Sequence, residues 1–152
     1  ARINFDDLQS RQYSPLRAYA QSKLADLLLM THLADLAAER GWPLLSTGAH
    51  PGYTRTNLLA SGPNLNGRPG FFEVVVSKIV PSQGVVQGAE PLLFAVADPG
   101  AVSGAYYGPR WGLVGATKRV ALPRSSRDKT VAARLWAEAE RLTGVSVDVP
   151  SR

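Results

Sequence analysis

Residues 14–52 read SPLRAYAQSKLADLLLMTHLADLAAERGWPLLSTGAHPG and combine the signal for a long helix with the signal for a following strand. Ser14-Pro15 is typical of a helix start, because serine can cap free backbone N–H groups and proline suits the first turn. Gly41 and Pro43 predict that the helix ends near Arg40. Leucines recur at helical spacing between these limits, so one face of the helix should be buried.

Strands and helices alternate after this point. Residues 44–49 predict a short buried strand that ends at His50-Pro51-Gly52, and residues 104–109 predict a second strand bounded by glycines. The further helices are predicted over residues 71–80, 82–97 and 126–143. This alternation of helices with short strands is typical of an α/β fold.

The composition limits the class of protein. A chain of 152 residues with 45% hydrophobic and 19% charged residues is typical of one globular domain. The sequence has no cysteine, which excludes disulfides and thiolate sites, and its two histidines argue against a zinc site, so no metal is predicted. No apolar run reaches the roughly 18 residues of a membrane span, and the N-terminus lacks a signal-peptide pattern. These absences predict a soluble cytoplasmic protein.

The formal net charge is +5, and much of the excess lies between residues 118 and 129. The basic residues of this segment are Lys118, Arg119, Arg124, Arg127 and Lys129. A nucleic-acid site would need such charges on one face with interleaved aromatic side chains, and none occurs between Trp111 and Trp136. We therefore predict a solvated basic loop and no nucleic-acid partner, with an anionic partner or a subunit contact as the alternatives.

The sequence Tyr19-Ala-Gln-Ser-Lys23 places a phenol and an ammonium group one turn apart on the same face of the predicted helix. Tyrosine alone is a poor acid or base near neutrality, since its unperturbed pKa is about 10. A nearby ammonium group stabilises a phenolate and lowers its pKa, so such a pair can exchange a proton with an alcohol or carbonyl. The same spacing also occurs by chance in helices, as a surface lysine beside a half-buried tyrosine.

Two segments of the chain resemble the short-chain dehydrogenases/reductases. Ala18-Tyr19-Ala20-Gln21-Ser22-Lys23-Leu24-Ala25 resembles the family's catalytic motif, and His50-Pro51-Gly52-Tyr53-Thr54-Arg55-Thr56-Asn57-Leu58 resembles its cofactor loop. Residues 3–8, 106–109 and 135–144 are similar to the retinol-dehydrogenase-like and protochlorophyllide-reductase-like branch, so the resemblance covers essentially the whole chain. It implies the C-terminal half of a Rossmann-type doubly wound parallel sheet, with residues 1–152 as part of a single NAD(P)-binding domain.

The resemblance implies an NAD(P)-dependent oxidoreductase that moves a hydride between nicotinamide and an alcohol or carbonyl substrate. Tyr19 resembles the general acid/base, and Lys23 resembles the lysine that binds the nicotinamide ribose hydroxyls and lowers the pKa of the tyrosine. The resemblance implies that both residues are catalytic and that both also contact the cofactor. The residues that resemble the family's cofactor contacts downstream are Pro51, Gly52, Tyr53, Thr54 and Thr56. Of these, Thr54 would meet the carboxamide through its backbone, and Thr56 would meet cofactor oxygens through its hydroxyl. The cofactor is NADP or NAD, and family tendency favours NADP.

Residues 57–83 are implied to form a substrate-binding lid. The predicted substrate-side residues of this lid are Asn57, Leu58, Phe71, Phe72 and Val75. Its apolar character suggests a lipophilic or aromatic small molecule as substrate. The helix that begins at Pro15 resembles a surface that the family uses in dimers and tetramers, so a homo-oligomer is expected.

The family's glycine-rich turn for the pyrophosphate has no counterpart in the sequence, and its catalytic serine and asparagine would lie upstream of Ala1. We therefore expect the N-terminal dinucleotide-binding half, absent from this chain, to come from a longer polypeptide or from another chain. Two other interpretations stay open. One is a non-catalytic Rossmann-like scaffold or an inactive fragment that needs a partner chain, and the other is an anion or nucleic-acid binder that uses the basic loop.

Overall fold

The computed structural model describes residues 1–55 and 80–147, whose contacts divide into two units. The helical unit comprises Ala1–Leu44 and Pro123–Arg152, and the sheet unit comprises Leu45–Leu122. The predicted helix over residues 71–80 lies outside the described residues, apart from Val80.

Helix α1 spans Pro15–Arg40, as the flanking signals predict. Ser14 occupies the N-cap position with extended backbone, and Pro15 is the first helical residue. Gly41 ends the helix with a φ of 64°, a left-handed conformation that costs glycine little because it lacks a Cβ. The N–H of Trp42 then donates to the carbonyl of Ala37 at 2.9 Å, which satisfies one of the otherwise free carbonyls at the helix end.

The core of the helical unit lies between α1 and α3, which spans Lys129–Thr143. The buried residues of this core are Ile3, Leu24, Leu28, Ala132 and Leu135. Leu28 is fully buried, with 0% of its surface exposed. Burial of these apolar groups is the main stabilising contribution of the unit, since the ion pair that joins its helices, Lys129 Nζ to Asp35 Oδ2 at 2.9 Å, is largely exposed.

Helix α3 begins three residues later than the start predicted near Ser126. A short 3-10 helix over Arg124–Arg127 occupies the predicted first turn. Asp128 is the true N-cap, because its carboxylate accepts a hydrogen bond from the N–H of Val131 at 3.0 Å. The helix ends at Gly144, as predicted, with a φ of 69°.

The sheet unit contains three short strands in the order β1-β2-β3. These strands are β1 (Gly48–Ala49), β2 (Tyr106–Pro109) and β3 (Thr117–Val120). The first pair is parallel, with Gly48 opposite Tyr106, and the second is antiparallel, with Tyr107 opposite Arg119. Helix α2 (Val85–Ala97) lies between β1 and β2 in the chain and contributes Ala95 to the buried cluster around Ala105 and Tyr107. A helix that connects two parallel strands confirms the predicted α/β class.

Three expectations for this unit need correction. The buried strand predicted over residues 44–49 is only β1 (Gly48–Ala49), because pairing with β2 begins at Gly48, and Leu45 is 65% exposed. The segment predicted to be a solvated basic loop contains β3, because Lys118 and Arg119 pair with β2 while their side chains stay exposed. The segment is a strand because it pairs with β2, and the polar composition of the segment does not reveal that pairing. Helix α2 begins at Val85 instead of residue 82, since Gly84 is its N-cap and the Gln87 side chain accepts the Gly84 N–H at 2.9 Å.

His50 lies just beyond β1, where its backbone N–H donates to the carbonyl of Tyr107 at 3.0 Å. Its ring packs against Tyr106, with 5.1 Å between ring centroids, and fills the space where Gly108 would carry a Cβ. Burial lowers the pKa of His50 below its ordinary value, because the apolar surroundings disfavour the charged form. The neutral imidazole is therefore part of the packing at the edge of the sheet.

Replacing Leu28 by alanine should lower the free energy of unfolding by about 2–5 kcal/mol, because the cavity forms in a site without solvent exposure. Urea unfolding of the complete protein would measure the change. Val145→Ala, at a position that is 64% exposed in the same unit, is the matched control and should cost less than about 0.5 kcal/mol. Equal losses for the two variants would show that α1 and α3 do not share this core.

Stability should decrease as the pH falls below about 6.5, the ordinary pKa of histidine. In the unfolded chain His50 takes up a proton near that pH, whereas the buried ring resists protonation until the pH reaches its lower folded-state pKa. Acid therefore favours unfolding across this window. Thermal midpoints between pH 8 and pH 5 should fall more steeply for the natural protein than for His50→Phe. Parallel profiles would show that His50 does not carry this proton linkage.

Candidate functional site

Tyr19 and Lys23 lie on the same face of α1 in the helical unit, one turn apart, as their spacing predicts. The side chain of Tyr19 is 61% exposed. The ammonium group of Lys23 lies 2.8 Å from a carboxylate oxygen of Asp26. The helix thus presents a phenol and an ammonium group from one accessible surface.

The ion pair between Lys23 and Asp26 is weak because it is exposed to solvent. Both side chains are about 60% exposed, at 61% and 63%, so solvent screens their attraction. Exposed pairs of this kind contribute about 0–1 kcal/mol. A ligand that offers Lys23 hydrogen-bond acceptors can therefore compete with Asp26 at little cost, because the lysine side chain has a flexible four-carbon stem.

Residues 51–55, the β1 loop, follow the carboxyl end of β1 in the sheet unit. Gly52 adopts a φ of 64°, and a Cβ at this position would overlap the Leu113 carbonyl and the ring of Pro109. The Tyr53 N–H donates to the same Leu113 carbonyl at 2.8 Å. The loop therefore lies tightly against the turn between β2 and β3, and only glycine allows this approach.

His50 supports the same loop from the strand side. The N–H of Gly52 donates to Nδ1 of His50 at 3.3 Å, so this nitrogen is the acceptor of the neutral ring and Nε2 carries the proton. The lowered pKa of His50 is consistent with this assignment, because a protonated Nδ1 could not accept the bond. The histidine thus acts as a packing and supporting residue at the end of the strand.

Thr54 is held by side-chain contacts that do not use its backbone N–H and C=O. Its hydroxyl donates to the carbonyl of Pro51 at 2.9 Å, and its side chain packs where Gly88 of α2 would carry a Cβ. The bridge from Thr54 to Gln83 uses the backbone groups of Tyr53 and Arg55. Within residues 1–55 and 80–147, no hydrogen bond involves the N–H or C=O of Thr54. In a parallel bridge these two groups face away from the partner residue.

Gln83 is a site residue that the sequence analysis missed. It is 7% exposed and holds the β1 loop through its backbone, with its N–H donating to Tyr53 O at 2.9 Å and its carbonyl accepting from Arg55 N–H at 3.0 Å. Its side-chain Nε2 donates to Pro51 O at 2.8 Å, and Oε1 accepts from Gly115 N–H at 3.2 Å. Because Gln83 is distant in sequence from the loop, no local pattern reveals these contacts. In the sequence it is only the last residue of the implied lid.

The predicted site residues thus fall into three groups. Tyr19 and Lys23 belong to the helical unit, and Pro51–Thr54 belong to the sheet unit. The other predicted residues lie outside the described part of the chain, and they are Thr56, Asn57, Leu58, Phe71, Phe72 and Val75. The assignment of roles to any of these residues is a prediction that rests on the resemblance.

Comparison with known proteins identifies related enzymes, although no protein-family model matches the chain. Polyprenol dehydrogenase of Mus musculus is 35% identical over 147 residues, which cover 93% of this chain and 40% of the mouse protein. Retinol dehydrogenase 13 of Homo sapiens is 35% identical over 155 residues, which cover 94% of this chain and 42% of the human protein. The chain thus spans about two fifths of these relatives, and it matches their C-terminal part.

A solved structure supports the same relationship. The crystal structure of an uncharacterised protein from Mycobacterium paratuberculosis matches with a TM-score of 0.73 and 35% sequence identity. The match covers 97% of this chain and 47% of the mycobacterial chain. The structural match and the sequence matches therefore indicate the same relationship. The sheet differs from the expected parallel arrangement in one respect, since β3 pairs with β2 in the antiparallel direction.

The comparisons also correct one expectation and establish another. The prediction of a cytoplasmic protein is wrong, because the polyprenol and retinol dehydrogenase relatives are membrane-associated. Among the described residues, no helix combines the length and apolar character needed to cross a bilayer. The predicted family is confirmed: the chain belongs to the short-chain dehydrogenases/reductases and corresponds to the C-terminal part of its relatives.

Proposed function

We propose that this chain is the catalysis-bearing C-terminal part of an NAD(P)-dependent oxidoreductase that interconverts an alcohol and a carbonyl compound. The observation that carries the proposal is the pair Tyr19 and Lys23 on one accessible face of α1, in a chain 35% identical to two dehydrogenases. The proposed catalytic residues are thus the phenol and the ammonium group of this pair.

Tyr19 is proposed to transfer the proton that accompanies the redox step. When bound, the nicotinamide ring supplies or accepts the hydride at the reacting carbon. The Tyr19 hydroxyl then donates a proton to the oxygen of a carbonyl being reduced, or its phenolate removes the proton of an alcohol being oxidised. The ammonium group of Lys23 stabilises the phenolate and can exchange Asp26 for ribose hydroxyls, since the exposed ion pair is weak.

The β1 loop fits a nicotinamide carboxamide. A primary carboxamide offers one acceptor oxygen and two N–H donors, and the backbone of Thr54 offers one donor and one acceptor that the described residues leave unused. Gly52 keeps the loop free of a side chain close to its turn. We therefore assign Pro51, Gly52, Tyr53 and Thr54 to cofactor binding, with Thr56 as a further hydroxyl donor.

Several finer features belong to the same proposal. We propose residues 57–83 as the substrate lid, with Asn57, Leu58, Phe71, Phe72 and Val75 as its substrate-side residues. The names of the two relatives favour a lipophilic alcohol or its aldehyde. The glycine-rich half comes from a longer polypeptide or another chain, NADP is the favoured cofactor, and α1 serves in a homo-oligomer.

Tyr19→Phe in the complete enzyme should lower kcat by about 10²–10⁴-fold, because the phenyl ring retains the packing but cannot transfer a proton. Cofactor binding should stay within about twofold, since Lys23 and the β1 loop are unchanged. The assay follows retinol and a polyprenol with NADP and NAD by chromatography of the carbonyl product, and binding follows NADPH or NADH fluorescence.

Tyr13→Phe is the matched control, because Tyr13 is also exposed, at 71%, and precedes α1. Its turnover should equal that of the natural enzyme. Unchanged turnover in Tyr19→Phe would remove the proposed mechanism. Cofactor binding by the natural enzyme without turnover of any alcohol or aldehyde in a broad panel would instead support the non-catalytic scaffold.

A further inference from the structure

We infer that Gln83 is a positioning residue, whose side-chain amide locks the β1 loop in the shape that presents the Thr54 backbone to a nicotinamide carboxamide. The inference rests on the proposed function, because it assigns to Gln83 the task of shaping the proposed cofactor contact. All the groups involved lie in the sheet unit.

The chemistry of the contact selects an amide. Pro51 has no N–H and offers only its carbonyl, which needs a donor, whereas Gly115 offers an N–H, which needs an acceptor. The side chain that joins the two must donate at one atom and accept at another. An ammonium group only donates and a carboxylate only accepts, so glutamine matches this pair of partners and glutamate does not.

The Pro51 carbonyl receives two donors, and this couples Gln83 to Thr54. Nε2 of Gln83 donates to it at 2.8 Å, and the hydroxyl of Thr54 donates to it at 2.9 Å. Both side chains thus fix the orientation of one peptide group at the start of the loop. Without the amide, that carbonyl loses one of its two partners, and the restraint on the Thr54 side chain weakens with it.

The other end of the amide fixes the loop to the sheet. Oε1 of Gln83 accepts from Gly115, in the turn between β2 and β3, at 3.2 Å. The same turn supplies the Leu113 carbonyl that accepts from Tyr53 N–H. Gln83 is 7% exposed, so water cannot readily replace these bonds. The loop is thereby held between β1, the β2–β3 turn and Gln83, which precedes the N-cap of α2.

The test compares Gln83→Met, Gln83→Glu and Gln87→Met in the complete enzyme. Methionine keeps the side-chain length but removes both hydrogen bonds, and glutamate keeps an acceptor for Gly115 while setting an oxygen against the Pro51 carbonyl. Gln87 is the control, because its Oε1 caps the Gly84 N–H near the same helix start, and among the described residues its side chain makes no hydrogen bond to the β1 loop. Each variant is measured for the dissociation constant of NADPH and NADH, kcat, and thermal midpoint.

Gln83→Glu should weaken cofactor binding by about tenfold, the equivalent of one buried hydrogen bond, and Gln83→Met, which loses both bonds, should weaken it by at least as much. The kcat at saturating cofactor should fall by less, and Gln87→Met should lower the thermal midpoint while changing the dissociation constant by less than about twofold. A Gln83 variant with lowered thermal midpoint and natural cofactor affinity would overturn the inference. Weaker cofactor binding in Gln87→Met, equal to that of Gln83→Met, would overturn it as well.

Amide hydrogen exchange without cofactor separates this inference from the proposed function. In Gln83→Met, exchange at Gly115 and at Tyr53 should accelerate by about tenfold or more if the side chain holds the loop, whereas natural exchange rates would overturn the locking role. If the natural enzyme binds no nicotinamide dinucleotide, or if Tyr19→Phe turns over normally, the proposed function fails. Faster exchange at the loop would then still show that Gln83 fixes its shape.

Discussion

The sheet unit depends on the parallel pairing of β1 with β2. The N–H of Gly48 donates to Ala105 O, and the N–H of His50 donates to Tyr107 O, each at 3.0 Å. These two bonds determine where β1 stops and therefore where the β1 loop begins. The contacts that Gly52, Tyr53 and Arg55 make therefore depend on the position at which the loop begins.

The close approach of the two strands also dictates the residue types around them. Gly108 cannot carry a side chain, because the His50 ring occupies that space. The ring in turn is kept neutral by burial, which lets Nδ1 accept the Gly52 N–H. Strand pairing, ring packing and loop support are therefore one connected arrangement, in which the hydrogen bond to the loop requires the packing beneath it.

Helix α1 has one face in the core and another face that is accessible to solvent. Leu24 and Leu28 face the core of the helical unit, whereas Tyr19 and Leu16 are exposed, at 61% and 78%. Such a helix has apolar residues on more than one side, which is typical of an element meant to contact more than one neighbour. The buried face fixes the helix in its unit, and the accessible face can then hold the phenol and the ammonium group at a constant separation.

The elements that the sequence predicts well have local causes. Pro15 and Gly41 define α1 because their backbone preferences act without help from the rest of the chain. The strand at Thr117–Val120 and the contacts of Gln83 depend on partners that lie far away in the sequence. Pro51, for example, lies 32 residues from Gln83. The starts of α2 and α3 lie between these cases, since Gln87 and Asp128 provide local caps that shift each start by three residues from the predicted position. Tyr19 and Lys23 could be found from spacing and resemblance, but no local rule identifies the residue that supports the loop.

Gly52 in the β1 loop, and Gly88 and Gly108 beside His50 and the loop, stand where neighbouring groups leave no space for a Cβ. Their neighbours are a backbone carbonyl and a proline ring, a threonine side chain and a histidine ring. A descendant of this gene could therefore diversify little at these positions. Amino-acid changes would therefore accumulate at other residues, so the loop is a part of the fold that duplicated genes can inherit with its shape unaltered.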